Sequence, residues 1–79
     1  MRRLQATIVL DMIKRTGSNT DKYEVERLLE SANEDYFTDF EVYQEFGEIV
    51  VEVYSEDESA REQTAGFLLD EGYQITMQF

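Results

Sequence analysis

The chain contains no cysteine and no histidine. Without cysteine there is neither a disulfide framework nor a thiolate metal site. Without histidine the commonest acid–base side chain is gone, and with it the Ser-His-Asp arrangement and most zinc sites. Long apolar runs are missing too. Stretches such as Ile8-Val9-Leu10 are far too short to span a bilayer. Met1-Arg2-Arg3 leads into a strand-like segment rather than a long apolar leader, so no secretory signal is expected and a cytoplasmic location is the default. Positive charge is scarce. Seven Lys and Arg stand against 18 Asp and Glu, a net charge of -11 with a pI near 4.1. Direct binding to nucleic acid needs a basic footprint that this chain lacks. Anionic membrane surfaces are disfavoured for the same reason.

What is present supports a folded domain. The apolar fraction is 42%, with five Tyr and five Phe, too much for a disordered acidic tail. The length allows one domain, 1–79, and no second core. Leu4, Ala6, Ile8, Leu10 and Met12 alternate with Gln5, Thr7, Val9 and Asp11, the period of a half-buried strand. Residues 14–20 hold Gly17, Ser18 and Asn19 and read as a loop. Asp21 and Glu24 form a capping-box pattern, and Val25, Leu28, Leu29 and Ala32 follow as one helical stripe. Positions 38–55 read as a hairpin turning at Phe46-Gly47. A two-residue loop there pairs Phe40 with Val53 and Val42 with Val51, keeping the apolar positions on one face. Ser55 and Glu58 predict the next helix start, Ala60, Thr64, Phe67 and Leu68 its apolar stripe, and Gly72 its end. Gly66 inside that helix suggests a close approach to the sheet. A last strand is expected over 73–79, where Tyr73, Ile75, Met77 and Phe79 alternate with polar residues.

The resulting order is β-α-β-β-α-β. This is an α+β chain of the ferredoxin-like, split β-α-β type, with a four-stranded antiparallel sheet and both helices on one face. The expected strand order is 4-1-3-2. The core should combine Ile8, Leu10, Leu28, Leu29, Phe40, Val42, Val51, Val53, Phe67, Leu68 and Ile75. The open face of the sheet should carry Gln5, Thr7, Val9, Glu41, Tyr43, Glu45, Glu48, Val50, Glu52, Tyr54 and Gln74.

The same register sets Glu41 opposite Glu52 and Glu45 opposite Glu48. Like charges directly across a sheet are destabilising, so replacing Glu41 and Glu52 with Gln is expected to raise the melting temperature slightly. Carboxylates interleaved with Tyr43 and Tyr54 suit a basic protein surface, with acids in place of phosphates and tyrosines adding interface area. The plainer reading is a solvated sheet face, since polar-out alternation is what any half-exposed antiparallel sheet shows. Glu34 and Asp35, and again Asp70 and Glu71, fall at helix C-termini, where the dipole disfavours acids. Glu56-Asp57-Glu58 lies at a helix start, where the dipole favours them. Asp57-Glu58-Ser59-Ala60 lacks the glycine and spacing of a calcium loop, so no metal site is expected, and neither a catalytic motif nor a cofactor motif stands out.

In size, charge and topology, and in the runs Glu34-Asp35, Glu56-Asp57-Glu58 and Asp70-Glu71, the chain resembles the small acidic inhibitors encoded by bacteriophages, some of which mimic DNA. The resemblance implies a non-enzymatic protein-interaction module in the host cytoplasm. Its partner would be a basic, nucleic-acid-binding host protein, such as the nucleoid protein HU or a CRISPR effector complex. The partner-binding residues expected on this reading are Glu41, Tyr43, Glu45, Glu48, Glu52, Tyr54, Glu34, Asp35, Asp70 and Glu71. The alternatives are a small regulatory ligand-binding domain of the same topology, or a designed protein. The last strand is neutral on its outer positions Gln74, Thr76 and Gln78, which leaves its edge unguarded and suggests a homodimer through this edge or the adjacent helix.

Overall fold

Alternation, capping and turn chemistry place the elements almost where the sequence puts them. The computed structural model describes residues 4–36, 39–55 and 59–78. Strand β1 is Leu4–Asp11, helix α1 Lys22–Tyr36, strands β2 and β3 Asp39–Glu45 and Glu48–Tyr54, helix α2 Ala60–Asp70 and strand β4 Ile75–Gln78. All pairings are antiparallel, and the sheet order is β2-β3-β1-β4. Counted from the opposite edge this is β4-β1-β3-β2.

The hairpin has the expected register. Phe40 faces Val53, Val42 faces Val51, Glu41 faces Glu52 and Glu45 faces Glu48. Its turn residues, Phe46 and Gly47, have φ of 50° and 78°. Both are positive, which is the type I′ geometry that two-residue hairpins favour.

Residues from the two inner strands, β1 and β3, and from both helices share one core. Ile8, Leu10, Ile49, Val51 and Val53 meet Val25 and Leu29 of α1 and Ala60, Ala65 and Leu68 of α2. These sheet positions share one face, so both helices cover that face and leave the other open. Leu28, Phe40, Val42, Phe67 and Ile75 join this core only half-buried, because they sit at its margin. Its largest fully buried side chain is Tyr73.

Helix α1 is capped at Asp21, whose Oδ1 accepts the Glu24 N–H at 2.9 Å. The reciprocal half of the box is diverted. Glu24 Oε2 accepts the Thr20 hydroxyl at 2.7 Å, and Oε1 lies 3.4 Å from Lys14 Nζ. The expected start of α2 at Ser55 is displaced: the residue preceding the helix is Ser59, with no side-chain cap bond. Glu58, its expected partner in the box, lies outside the described residues. At the other end Gly72, with φ of 93°, closes a Schellman motif in which Tyr73 N–H donates to Leu68 O and Gly72 N–H to Leu69 O. Tyr73 is therefore part of that turn rather than of β4.

The segment 14–20 is not an open loop. Ile13 bridges Asn19, Lys14 N–H donates to Ser18 O, and Thr20 N–H donates to Met12 O, so the segment folds on itself. A Cβ at Gly66 would meet nothing within 4 Å, so that glycine permits no close approach to the sheet.

Candidate functional site

Period-two alternation decides which side chains reach the open face, and the pairing decides which stand side by side. Three rows run across β2, β3 and β1. Glu41, Glu52 and Thr7 form one, Tyr43, Val50 and Val9 the next, and Glu45, Glu48 and Asp11 the third. Neighbouring strands lie roughly 4.8 Å apart. The third row therefore places three carboxylate-bearing positions in line across three strands, all of them exposed.

The middle row is the apolar band of this face. Tyr43 and Val9 are half-buried, and Val50 between them is only 8% exposed. Val50 stands on the open face as expected, yet its neighbours remove it from water.

Glu52 is the best-held acid of the face. Its Oε1 accepts the Tyr43 hydroxyl and its Oε2 the Tyr54 hydroxyl, each at 2.5 Å. Such short bonds to an ionised acceptor are the stronger class of hydrogen bond. The Tyr43 hydroxyl, then that of Tyr54, holds the Glu52 carboxyl below its ordinary range, against the smaller effect of partial burial. Reciprocally the Tyr43 phenol is pushed up to about 12, chiefly by the same hydrogen bond. Glu52 is thus a fixed, ionised charge.

This bears on the expectation for the Glu41–Glu52 pair. The two residues do face each other. The charge of Glu52 is met by two donors, so relief of the repulsion is set against hydrogen bonds that Gln at this position would weaken. It also corrects the role foreseen for the tyrosines: the Tyr43 and Tyr54 hydroxyls are already directed at Glu52 rather than held free for a partner.

The remaining expected residues divide by location. Glu41, Glu45 and Glu48 are exposed on the open face. Glu34 and Asp35 fall in the last turn of α1, and Asp70 and Glu71 end α2. Helix-end acids thus belong to the helical layer and are separate from the hairpin rows. The end of α2 has a compensating cation that its own sequence does not contain. Arg15 donates from its guanidinium to Leu69 O at 2.8 Å and from its backbone N–H to Gly72 O at 2.9 Å. A cation there offsets the helix dipole.

Asp11 is the site residue that sequence reasoning left out. Its signal was available, because it continues the Thr7, Val9 series on the same face. One of its carboxylate oxygens accepts the Ile13 N–H at 2.9 Å, which fixes it at the end of β1. Among the described residues no cluster of three or more acids is arranged to hold a metal ion. Nor is any helix among them long and apolar enough to cross a membrane. The chain matches no family model, no curated protein and no solved structure.

Proposed function

We propose that this chain is an acidic protein-interaction module, a ferredoxin-like domain whose open sheet face covers the basic, nucleic-acid-binding surface of another protein. The observation that carries this reading is the layout of the face. A row of acids, Glu45, Glu48 and Asp11, and a second acidic pair, Glu41 and Glu52, flank an apolar band of Tyr43, Val50 and Val9. A basic groove offers the complement: cations that normally neutralise phosphates, on a floor that excludes water. Glu52 stays ionised and cannot swing away, so its charge is presented without further ordering. The net charge of -11 steers such an encounter. The split β-α-β assignment draws support from the β4-β1-β3-β2 order and from both helices covering one face.

The test is competition. A labelled DNA duplex is bound to a purified basic DNA-binding protein, with a nucleoid protein such as HU and a CRISPR effector complex as the two classes to try. Addition of the chain at low salt should release the duplex, and release should weaken steeply as salt rises. The triple variant Asp11→Asn, Glu45→Gln, Glu48→Gln should compete more weakly and with a shallower salt slope. Equal competition by the triple variant would remove this face from the mechanism.

A further inference from the structure

We propose a second docking surface: the free edge of β2, which takes up an extended, basic peptide segment of a partner as a fifth strand. The proposal does not rest on the open-face reading. It starts from the backbone. Strand β2 ends the sheet, and among the described residues nothing pairs with its outer side. Glu45 and Glu48 flank the two-residue turn as its first and last residues, the positions joined by the hydrogen bond of a β-turn. Hydrogen-bonded and non-hydrogen-bonded pairs alternate along an antiparallel ladder. Residues 45, 43, 41 and 39 therefore point their N–H and C=O groups at β3. Those of Phe40, Val42 and Gln44 point outward, forming an open ladder into which another strand can hydrogen-bond.

Beside this edge lies an open groove of about 500 Å³, lined by Glu26 and Glu30 of α1 and by Phe40, Glu41, Val42 and Tyr43 of β2. Its acids come from two elements and stand on both sides of the edge. An incoming strand sends alternate side chains to opposite faces. Those on the helix side meet Glu26 and Glu30, and those on the open side meet Glu41 and Glu45. Among the described residues no ion pair reaches Glu26 or Glu30. The occupant that fits carries Lys or Arg on both faces, with a small apolar residue opposite Val42, which is half-buried at the margin of the core.

Charge also decides against the obvious rival, a second copy pairing edge to edge. Two β2 edges would set Asp39, Glu41 and Glu45 of one chain against the same acids of the other, and like charges across strands repel. The acids thus protect the edge from self-pairing while leaving it open to a basic strand.

The probe is a nine-residue peptide, capped at both ends, that carries Lys or Arg at both odd and even positions, with Val at its centre and Thr elsewhere. Three controls accompany it: the same sequence N-methylated at alternate residues, a Gly/Ser peptide of equal charge, and a version with Glu for each cation. Affinity is read by fluorescence anisotropy and contact by amide hydrogen exchange. The parent peptide should slow exchange at residues 40, 42 and 44, and N-methylation should weaken binding by about tenfold or more through lost main-chain hydrogen bonds. The acidic version should not bind. The double variant Glu26→Gln, Glu30→Gln should weaken the parent peptide, whereas Asp11→Asn, Glu48→Gln should leave it nearly unchanged. That last contrast separates this site from the open face. Equal affinity for the parent, N-methylated and Gly/Ser peptides would overturn the proposal, leaving only diffuse charge attraction. Protection of β4 amides, or loss of binding in Asp11→Asn, Glu48→Gln, would overturn it in favour of another surface.

Discussion

Phe46 combines two local penalties in one residue. Its backbone is left-handed, with φ of 50°, and its ring is 94% exposed. A left-handed conformation costs a non-glycine residue roughly 1–2 kcal/mol, and the turn here is the one that favours Asn before Gly. Phe46→Asn should therefore stabilise the free protein by about 1 kcal/mol, a rise of roughly 4–8 °C in a domain of this size. A thermal melt checks it. Glu52 is the opposite case, a residue whose charge is wanted. Glu52→Gln leaves an amide that can accept through only one atom, so at least one tyrosine hydroxyl loses its ionised partner. The variant should be less stable by about 1 kcal/mol, a hydrogen bond to a charged group discounted for solvent screening at a part-exposed site. It should also return the Tyr43 phenol from about 12 towards its ordinary 10 in an ultraviolet pH titration. The signs of the pH dependence follow. The carboxyl of Glu52 is lowered on folding, so its contribution is present above the ordinary value of 4.5 and fades as pH falls below it. The phenol of Tyr43 is raised, so its contribution is present below 10 and is lost as pH climbs through about 12. The hydrogen bonding of Glu52 was not legible in the sequence. The alternation placed Tyr43, Glu52 and Tyr54 on one face, but it carries no information on which hydroxyl turns towards which acid.

Elements were easier to read where two independent rules agreed. The hairpin register was set both by the two-residue turn and by the need to keep Phe40, Val42, Val51 and Val53 on one face, and a slip by one residue would have exposed all of them. Helix α2 shows the reverse. The pattern Ser-x-x-Glu occurs twice in succession, at Ser55/Glu58 and Ser59/Glu62, so local spacing alone could not choose between them. The helix begins after the second, whose Ser59 makes no side-chain cap bond. Tyr73 was misplaced for a related reason. It continues the period of the last strand, yet it is held by contacts remote in sequence. Its hydroxyl lies 3.1 Å from Thr20 Oγ1, and Lys14 Nζ sits 4.7 Å from its ring centroid. Burial draws the Lys14 ammonium down, but Tyr73 and Glu24 together hold it above its ordinary value. That cluster ties the folded 14–20 segment to α1 and to the entry of β4. Within α2 itself, Gly66 has neither a positive φ nor a neighbour that a methyl group would strike. Gly66→Ala should raise stability by about 0.5–1 kcal/mol through helix propensity and a less flexible unfolded chain, as measured by urea denaturation.

At the scale of the whole molecule, charge sets the response to salt, and different equilibria should answer with different signs. Eighteen acids against seven cations in 79 residues repel one another in the folded chain. Exposed charges are largely screened beyond about 10 Å at 0.1 M ionic strength. Added salt should therefore stabilise the free protein, since compaction is what self-repulsion opposes. It should weaken any complex with a basic partner, at the open face or along β2, because there it screens attraction. Self-association belongs with the first group. Strand β4 is four residues long, and Thr76 within it and Gln74 just before it are neutral and exposed. It lacks the acids that guard β2, so a homodimer is expected to form there. At low salt two chains of charge -11 hold each other apart whatever their edges offer. The dimer should accordingly appear as salt rises, over the same range in which the complex with a basic protein dissociates. Sedimentation velocity at a fixed protein concentration, with and without the basic partner, follows both changes in one titration. A chain that stays monomeric at high salt and high concentration would show that β4 is closed to pairing, its Gln74 amide already bonded to Ile13 O at 3.0 Å.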